Sequence, residues 1–247
     1  STINPQSVVD KFLVDISRVS TTSLTQVDTK WSNSQVYALK HGYAEIAAGI
    51  EFRRETFSDD RDELLDGSMP FIDNVSGILL SQSNVLGSSY TLDAIGSRNI
   101  ASSYFDSYLP IFKSTSAQVA FRYENYSDIG DVSKLKVAIS SRVNKFVNLR
   151  TAWANGFRAP NLPQIAEKGL SRFNFLYDPL VDSIYGMSEV RLGNPKLKPE
   201  DNINVSFGGT FEPAKNVDIS IDWWQIKQKN VIGIIPARTL LLYDGLL

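Results

Sequence analysis

Period-two alternation, sustained over segments long for a strand, constrains this chain more than any other feature. In "NVDISIDWWQIK", Val217, Ile219, Ile221 and Trp223 share one face, and Asp218, Ser220, Asp222 and Trp224 share the other. "INVSFGGTF" sets Ile203, Val205, Phe207 and Phe211 against Asn204, Ser206, Gly208 and Thr210. "KLKVAISSRV" sets Leu135, Val137, Ile139 and Val143 against Lys136, Ala138, Ser140 and Arg142. "AQVAFRYENY" sets Val119, Phe121 and Tyr123 against Gln118, Arg122, Glu124 and Tyr126, and "YAEIAAGIEFR" sets Ile46, Ile50 and Phe52 against Glu45, Glu51 and Arg53. Weaker alternation over Leu24–Leu39, Arg98–Phe112 and Val147–Phe157 brings the count to about eight. The class is all-β.

The strands run roughly ten to fifteen residues, against about five or six in soluble sheets. Tilted strands of that length suit a bilayer. Short polar turns ("KHG" 40–42, "KSTS" 113–116, "NK" 144–145, "PAKN" 213–216) alternate with connections over 59–97, 127–132 and 158–198. The 127–132 connection is modest, the other two long. Short turns at one end and long loops at the other mark an up-and-down antiparallel meander of the transmembrane-barrel kind. At the ends, Val8, Val9, Phe12, Leu13, Ile16 and Val19 recur at helical spacing, predicting a short helix over 6–19. Thr239–Tyr243 after Pro236 reads as another, and both ends fall on the long-loop side. The competing reading is that both are frayed ends.

Composition removes most other classes. Among 247 residues, 43% are hydrophobic and 21% charged, so the chain is not disordered in composition. A net charge of −2 argues against a nucleic-acid binder. No cysteine and a single histidine, His41, exclude thiolate chemistry and nearly exclude a His-based triad or metal cluster. No cofactor is expected. The longest uncharged run, Val75–Leu92, is too rich in serine for a transmembrane helix, and no basic region with an apolar run follows Ser1.

Four motifs then come into register. "GFRAPNL" at 156–162, followed by "GNPKLKPED" at 193–201 and a strand, resembles the barrel of TonB-dependent outer-membrane receptors. "FRYENYSDIGD" (121–131) is similar to that family's R-Y-x-x-Y-S-D-x-G hairpin, and "AAGIEFRRETFSD" (47–59) to its strand ending in G-x-E-x-R-x-E. Together they span roughly Tyr43 to Gly233 in the family's order. One departure is that "SKLKVAI" (133–139) lacks the proline that often precedes the equivalent strand.

The resemblance implies an antiparallel piece of a roughly 22-stranded transmembrane β-barrel closed by a plug. Residues 1–247 would be a partial barrel domain, with plug, TonB box and terminal strands not visible. It implies a non-enzymatic receptor in a Gram-negative outer membrane. Such a receptor takes up a scarce nutrient (siderophore, cobalamin, oligosaccharide or peptide), with the TonB complex acting through the plug. Expected partners are outer-membrane lipid and an extracellular nutrient; an isolated piece would also self-associate through its sheet edges.

Arg53, Arg122, Glu124 and Tyr126 are then expected to line the lumen near the outer end, where they contact ligand or plug or simply solvate the wall. Arg158 either touches substrate at the mouth or anchors its loop on a neighbouring carboxylate. Pro160 and Pro163 stop strand pairing after Arg158, and Pro195 and Pro199 precede the next strand. Trp153, Trp223 and Tyr123 read as an interfacial aromatic girdle; Trp224, facing the other way, fits no such role. Two other classes compete: a soluble β-sandwich carbohydrate-binding module, and a β-rich hydrolase using paired carboxylates.

Overall fold

The structure, a computed structural model, describes residues 5–72, 74–80, 83–85, 88–178 and 181–244; the readings at Ser1 and at 245–247 lie outside them. In chain order the elements are α1 (Gln6–Val9), β1 (Arg18–Leu39), β2 (Gly42–Arg61), β3 (Phe71–Ile72), β4 (Leu79–Leu80), β5 (Ala94–Phe112), β6 (Thr115–Tyr126), β7 (Gly130–Arg142), β8 (Val147–Arg158), α2 (Leu162–Ala166), β9 (Leu170–Asp178), β10 (Ser183–Arg191), β11 (Glu200–Ala214), β12 (Val217–Lys229) and α3 (Ala237–Asp244). Eight long strands form one sheet in the order β1-β2-β5-β6-β7-β8-β11-β12, every neighbouring pair antiparallel. It is the predicted meander. The pairs β3–β4 and β9–β10 form two small hairpins within the long connections.

Period-two alternation fixes the two faces, because every pairing keeps inward residues opposite inward residues. One outer row runs Ile46, Ser107, Val119, Val137, Trp153, Val205 across six strands. The next row runs Ile139, Thr151, Phe207, Trp223. Apart from the buried Ser107, this face stays accessible: Phe207 is 55% exposed, and in the flanking rows Phe121 is 44% and Ile221 74% exposed. An apolar belt this broad and this open does not pack on a second sheet, and so the sandwich reading fails. The small buried cluster, Phe57, Ala94 and Leu162 with Ile165 against it, lies on the opposite face, where α2 docks on β2 and β5. That face is the inner one.

Two expectations are corrected. The helix over 6–19 shrinks to the four residues of α1, and residues 18–23 join β1 instead. Pairing overrides the helical spacing: Val19, Thr21 and Thr22 extend the ladder against Asp60, Ser58 and Phe57, and Ser17 and Asp62 bond backbone to backbone at its end. Connection 127–132 is a tight turn of three residues, closed by Gly130 at φ 81° and by Ser127, whose Oγ accepts from Asn99 N–H. The helix after Pro236 is present as α3, and β1 starts and β12 ends on the long-loop side.

Candidate inner-wall site

Alternation alone brings charged side chains of β2, β5 and β6 onto one inner patch. Glu51 pairs in register with Ser102, and Ser102 with Glu124; Gly49 pairs with Tyr104, and Tyr104 with Arg122. Arg122 Nη2 donates to Glu51 at 2.9 Å, and its Nε donates to Glu124. Arg53 lies 3.1 Å from Glu51 and 3.8 Å from Glu124, yet its buried Nε points away from a hydrogen-bonding line. The Tyr126 hydroxyl donates to Glu124 at 2.8 Å. Two guanidiniums and two carboxylates neutralise one another here, which is what allows Glu124 a side-chain exposure of only 4%. Ser102, buried between the carboxylates, leaves its Oγ unpartnered.

Tyr126 links this patch to the loop rim. The Arg98 guanidinium sits over its ring at 5.3 Å, and Phe157 meets it edge-on at 5.8 Å. Arg98 itself grips Glu55 at 2.6 Å, lies 3.7 Å from Asp128 and donates to the Pro160 carbonyl at 2.7 Å. The stretch that stops β8 is thereby held across the mouth onto β5. Asn161 caps α2 through a reciprocal bond with Gln164, and Leu162 fills the pocket beside Phe57. At the outer edge of β2, Asp59 accepts from Arg18 at 2.7 and 2.9 Å and from Arg61 at 2.6 Å.

The sequence-predicted residues divide accordingly. Arg53, Arg122, Glu124 and Tyr126 come together in one network. Arg158 stands apart: it makes a two-pronged pair with Glu200 at 2.8 and 2.6 Å, and Glu200 also accepts from Ile232 N–H at 2.7 Å. The loop-anchoring geometry is therefore present at Arg158. Sequence reasoning passed over Glu51, Tyr104 and Arg98 as site residues. For Glu51 the signal was available, because it stands two residues before Arg53 on the same face, as Arg122 stands two before Glu124.

Lower on the inner wall, Gln118 donates to Asp106 at 2.9 Å and accepts from Lys136 at 3.2 Å. Arg150 on β8 reaches Asp222 on β12, past Gly208, at 2.8 Å; a Cβ on Gly208 would sit 2.0 Å from that carboxylate. In the loop hairpin, Tyr177 and Tyr185 donate to Asp182 and Asp178 at 2.7 and 2.9 Å, and these bonds raise both phenol pKa values. Asp62, just beyond β2, accepts from the Ser17 and Leu64 amides, which lower its pKa. Among the described residues no group of three or more His, Asp or Glu is placed to hold a metal ion. The arrangement suits recognition by exchange of ion-pair partners.

Comparison with known proteins agrees with this geometry. Residues 4–242 match the family model described as "TonB dependent receptor-like, beta-barrel". The probable TonB-dependent siderophore receptor PirA of Acinetobacter baumannii is 29% identical over 143 residues, 57% of this chain and 18% of that protein. Its crystal structure superposes with a TM-score of 0.62 at 20% identity, covering 85% of this chain and 27% of that one. A variant of the ferric enterobactin receptor PfeA of Pseudomonas aeruginosa, solved with enterobactin, gives 0.64 at 17% identity, covering 88% and 29%. This chain thus spans under a third of each of these relatives. An apolar outer face, a charged inner face, tight turns at one end, and a family match over nearly the whole length lead to one assignment: the chain belongs to the β-barrel family of TonB-dependent receptors.

Proposed function

We propose that residues 1–247 are wall of the barrel domain of a Gram-negative outer-membrane receptor that takes up a ferric siderophore, energised by the TonB complex through a plug. The observation that carries the substrate class is the similarity to the siderophore receptor PirA over more than half of this chain. The two-sided wall supports the location: its outer belt meets lipid, and its inner face supplies charge to a wet lumen.

In this reading Arg53 and Arg122 meet the ligand or the plug by exchanging Glu51 and Glu124 for a new anionic partner, while Tyr126 and Arg98 carry the change to the loop rim. Arg158 holds the mouth loop on Glu200. The strands β1 and β12 each have one neighbour among the described strands; in a whole barrel they pair onward, and in an isolated piece they pair with another copy.

Uptake of radioactive iron tests the proposal. An iron-limited strain that carries the intact receptor as its sole such route should accumulate iron from a ferric siderophore. Loss of the inner-membrane proton gradient should stop it. Uptake of cobalamin or an oligosaccharide, with none of any ferric siderophore, would overturn the substrate class and leave the barrel assignment standing.

A further inference from the structure

Arginines and lysines differ in how they are held: every ion pair among the described residues is made by an arginine, and exposed lysines such as Lys168, Lys196 and Lys198 stand in the long connection as well as in the short turns. At the long-loop end, Arg18, Arg61, Arg98 and Arg158 are each held in an ion pair. At the other end, each of the four short turns carries one exposed lysine: Lys40, Lys113, Lys145 and Lys215. Among the described residues none of the four has a carboxylate within ion-pair distance; Lys145 sits over the Phe146 ring at 4.7 Å. In "ALKHGY", "PIFKSTS" and "SRVNKFVN" there is no acid at all, while "EPAKNVD" holds Glu212 and Asp218. Exposed aromatics adjoin three of these lysines: Tyr43 (50%), Phe112 (63%) and Phe146 (42%). On the inner side of the same rim, His41, Lys113 and Arg142 line an open cleft of about 320 Å³ with Ser114, Ser140 and Asn148, and no acid reaches it.

We propose that the short-turn rim is a docking surface for anionic phospholipid headgroups of the leaflet facing the periplasm. The inference rests on the membrane orientation proposed above. Its chemistry is charge complementarity at a fixed height: four unpaired ammonium groups stand one per hairpin, just beyond the apolar belt, at the level where lipid phosphates lie. Long lysine stems reach from the belt to that level, and the neighbouring rings anchor at the same interface. Near an anionic surface each lysine strengthens binding roughly fivefold at low ionic strength, and salt screens the effect. A lysine in a turn exposed only to water would show no such preference.

The test uses the intact receptor in nanodiscs of phosphatidylethanolamine with a minor fraction of phosphatidylglycerol, with retained lipid read by native mass spectrometry. The expected result is a several-fold enrichment of phosphatidylglycerol that falls with added salt and does not fall with free inorganic phosphate. Lys40→Gln, Lys113→Gln, Lys145→Gln and Lys215→Gln together should abolish it, and the pair Lys40→Gln/Lys215→Gln should halve it or more if the fourfold variant does not fold. Lys168→Gln, Lys196→Gln and Lys198→Gln in the long connection should leave it intact. Equal enrichment in the parent and the turn variants overturns the inference, as does loss on changing the long-connection lysines. Competition by inorganic phosphate would replace the lipid with a free anion and overturn it too. Labelling of Lys113→Cys by an impermeant maleimide separates the readings. Labelling of intact cells would sink the orientation and this inference with it, whereas labelling only after permeabilisation with no lipid preference would sink this inference alone.

Discussion

Gly49 has a job that only its missing side chain can do. A Cβ there would lie 2.5 Å from the Tyr104 ring and 2.6 Å from the Thr29 carbonyl, so the bare backbone lets Tyr104 lie across β2. From that place the ring faces the Arg122 guanidinium at 5.9 Å. Gly49→Ala should displace Tyr104 and cost about 1–3 kcal/mol of unfolding free energy, the usual range for overfilling a packed site; urea unfolding followed by tryptophan fluorescence would read it. Arg122 and Glu124 make a second residue-scale case. Because Glu124 is almost wholly covered, Arg122→Ala leaves it short of its nearest cation. A double-mutant cycle of Arg122→Ala with Glu124→Ala should return a coupling of about 0.5–3 kcal/mol. Additive single effects would mean that the pair is only a surface contact. Parity made this pair readable from the sequence, as it did Arg53 and Tyr126. It could not reveal Arg98, whose role depends on a carbonyl 62 residues away in sequence.

The strands were legible as elements because their alternation is itself the cause of their sidedness. What could not be read was where pairing overrules local preference. Residues 12–19 carry a helical stripe, yet β2 runs on to Arg61 and captures residues 18–23 as partner. The hairpin β9–β10 was a different miss: Phe173, Phe175 and Tyr177 alternate plainly with Arg172, Asn174 and Leu176, but they sit inside a connection whose flanking prolines signal a loop. Two predictions belong at this scale. Leu162→Ala should undock α2 from Phe57 and Ala94, at about 2–5 kcal/mol locally, seen as faster amide exchange in 160–167 with β6 and β7 unchanged. The second concerns Asp62, whose carboxylate is held below its ordinary pKa by two amides. Its stabilisation is present above the unfolded carboxylate range and is lost as pH falls through the lowered folded value. Protection of the Ser17 amide should therefore be full at neutral pH and fade in acid; protection unchanged into strong acid would refute the link.

At the largest scale the sheet presents two chemically unlike faces. Its outer rows are mostly aliphatic and aromatic, with Ser107 and Thr151 among them, and its inner patch is charged, so the same alternation that specifies the fold also gives the sheet two unlike faces. Val137→Arg, in the middle of the outer row, should cost about 2–4 kcal/mol in a bilayer and little in the isolated chain in detergent. Unfolding in liposomes compared with micelles would separate the two. Among the described residues nearly all contacts join each strand to its neighbour in the meander or stay within the two small hairpins; α2, reaching from the end of β8 to β5 and β2, and α3, set against β9, depart from that pattern. The consequence is kinetic. Hairpins can zip one after another with little chain entropy lost at each step, whereas α2 finds its seat only after β2, β5, β6, β7 and β8 are all in place. Burial of Leu162 is therefore a clock for completion: a stalled intermediate would show full strand signal and a bare Phe57.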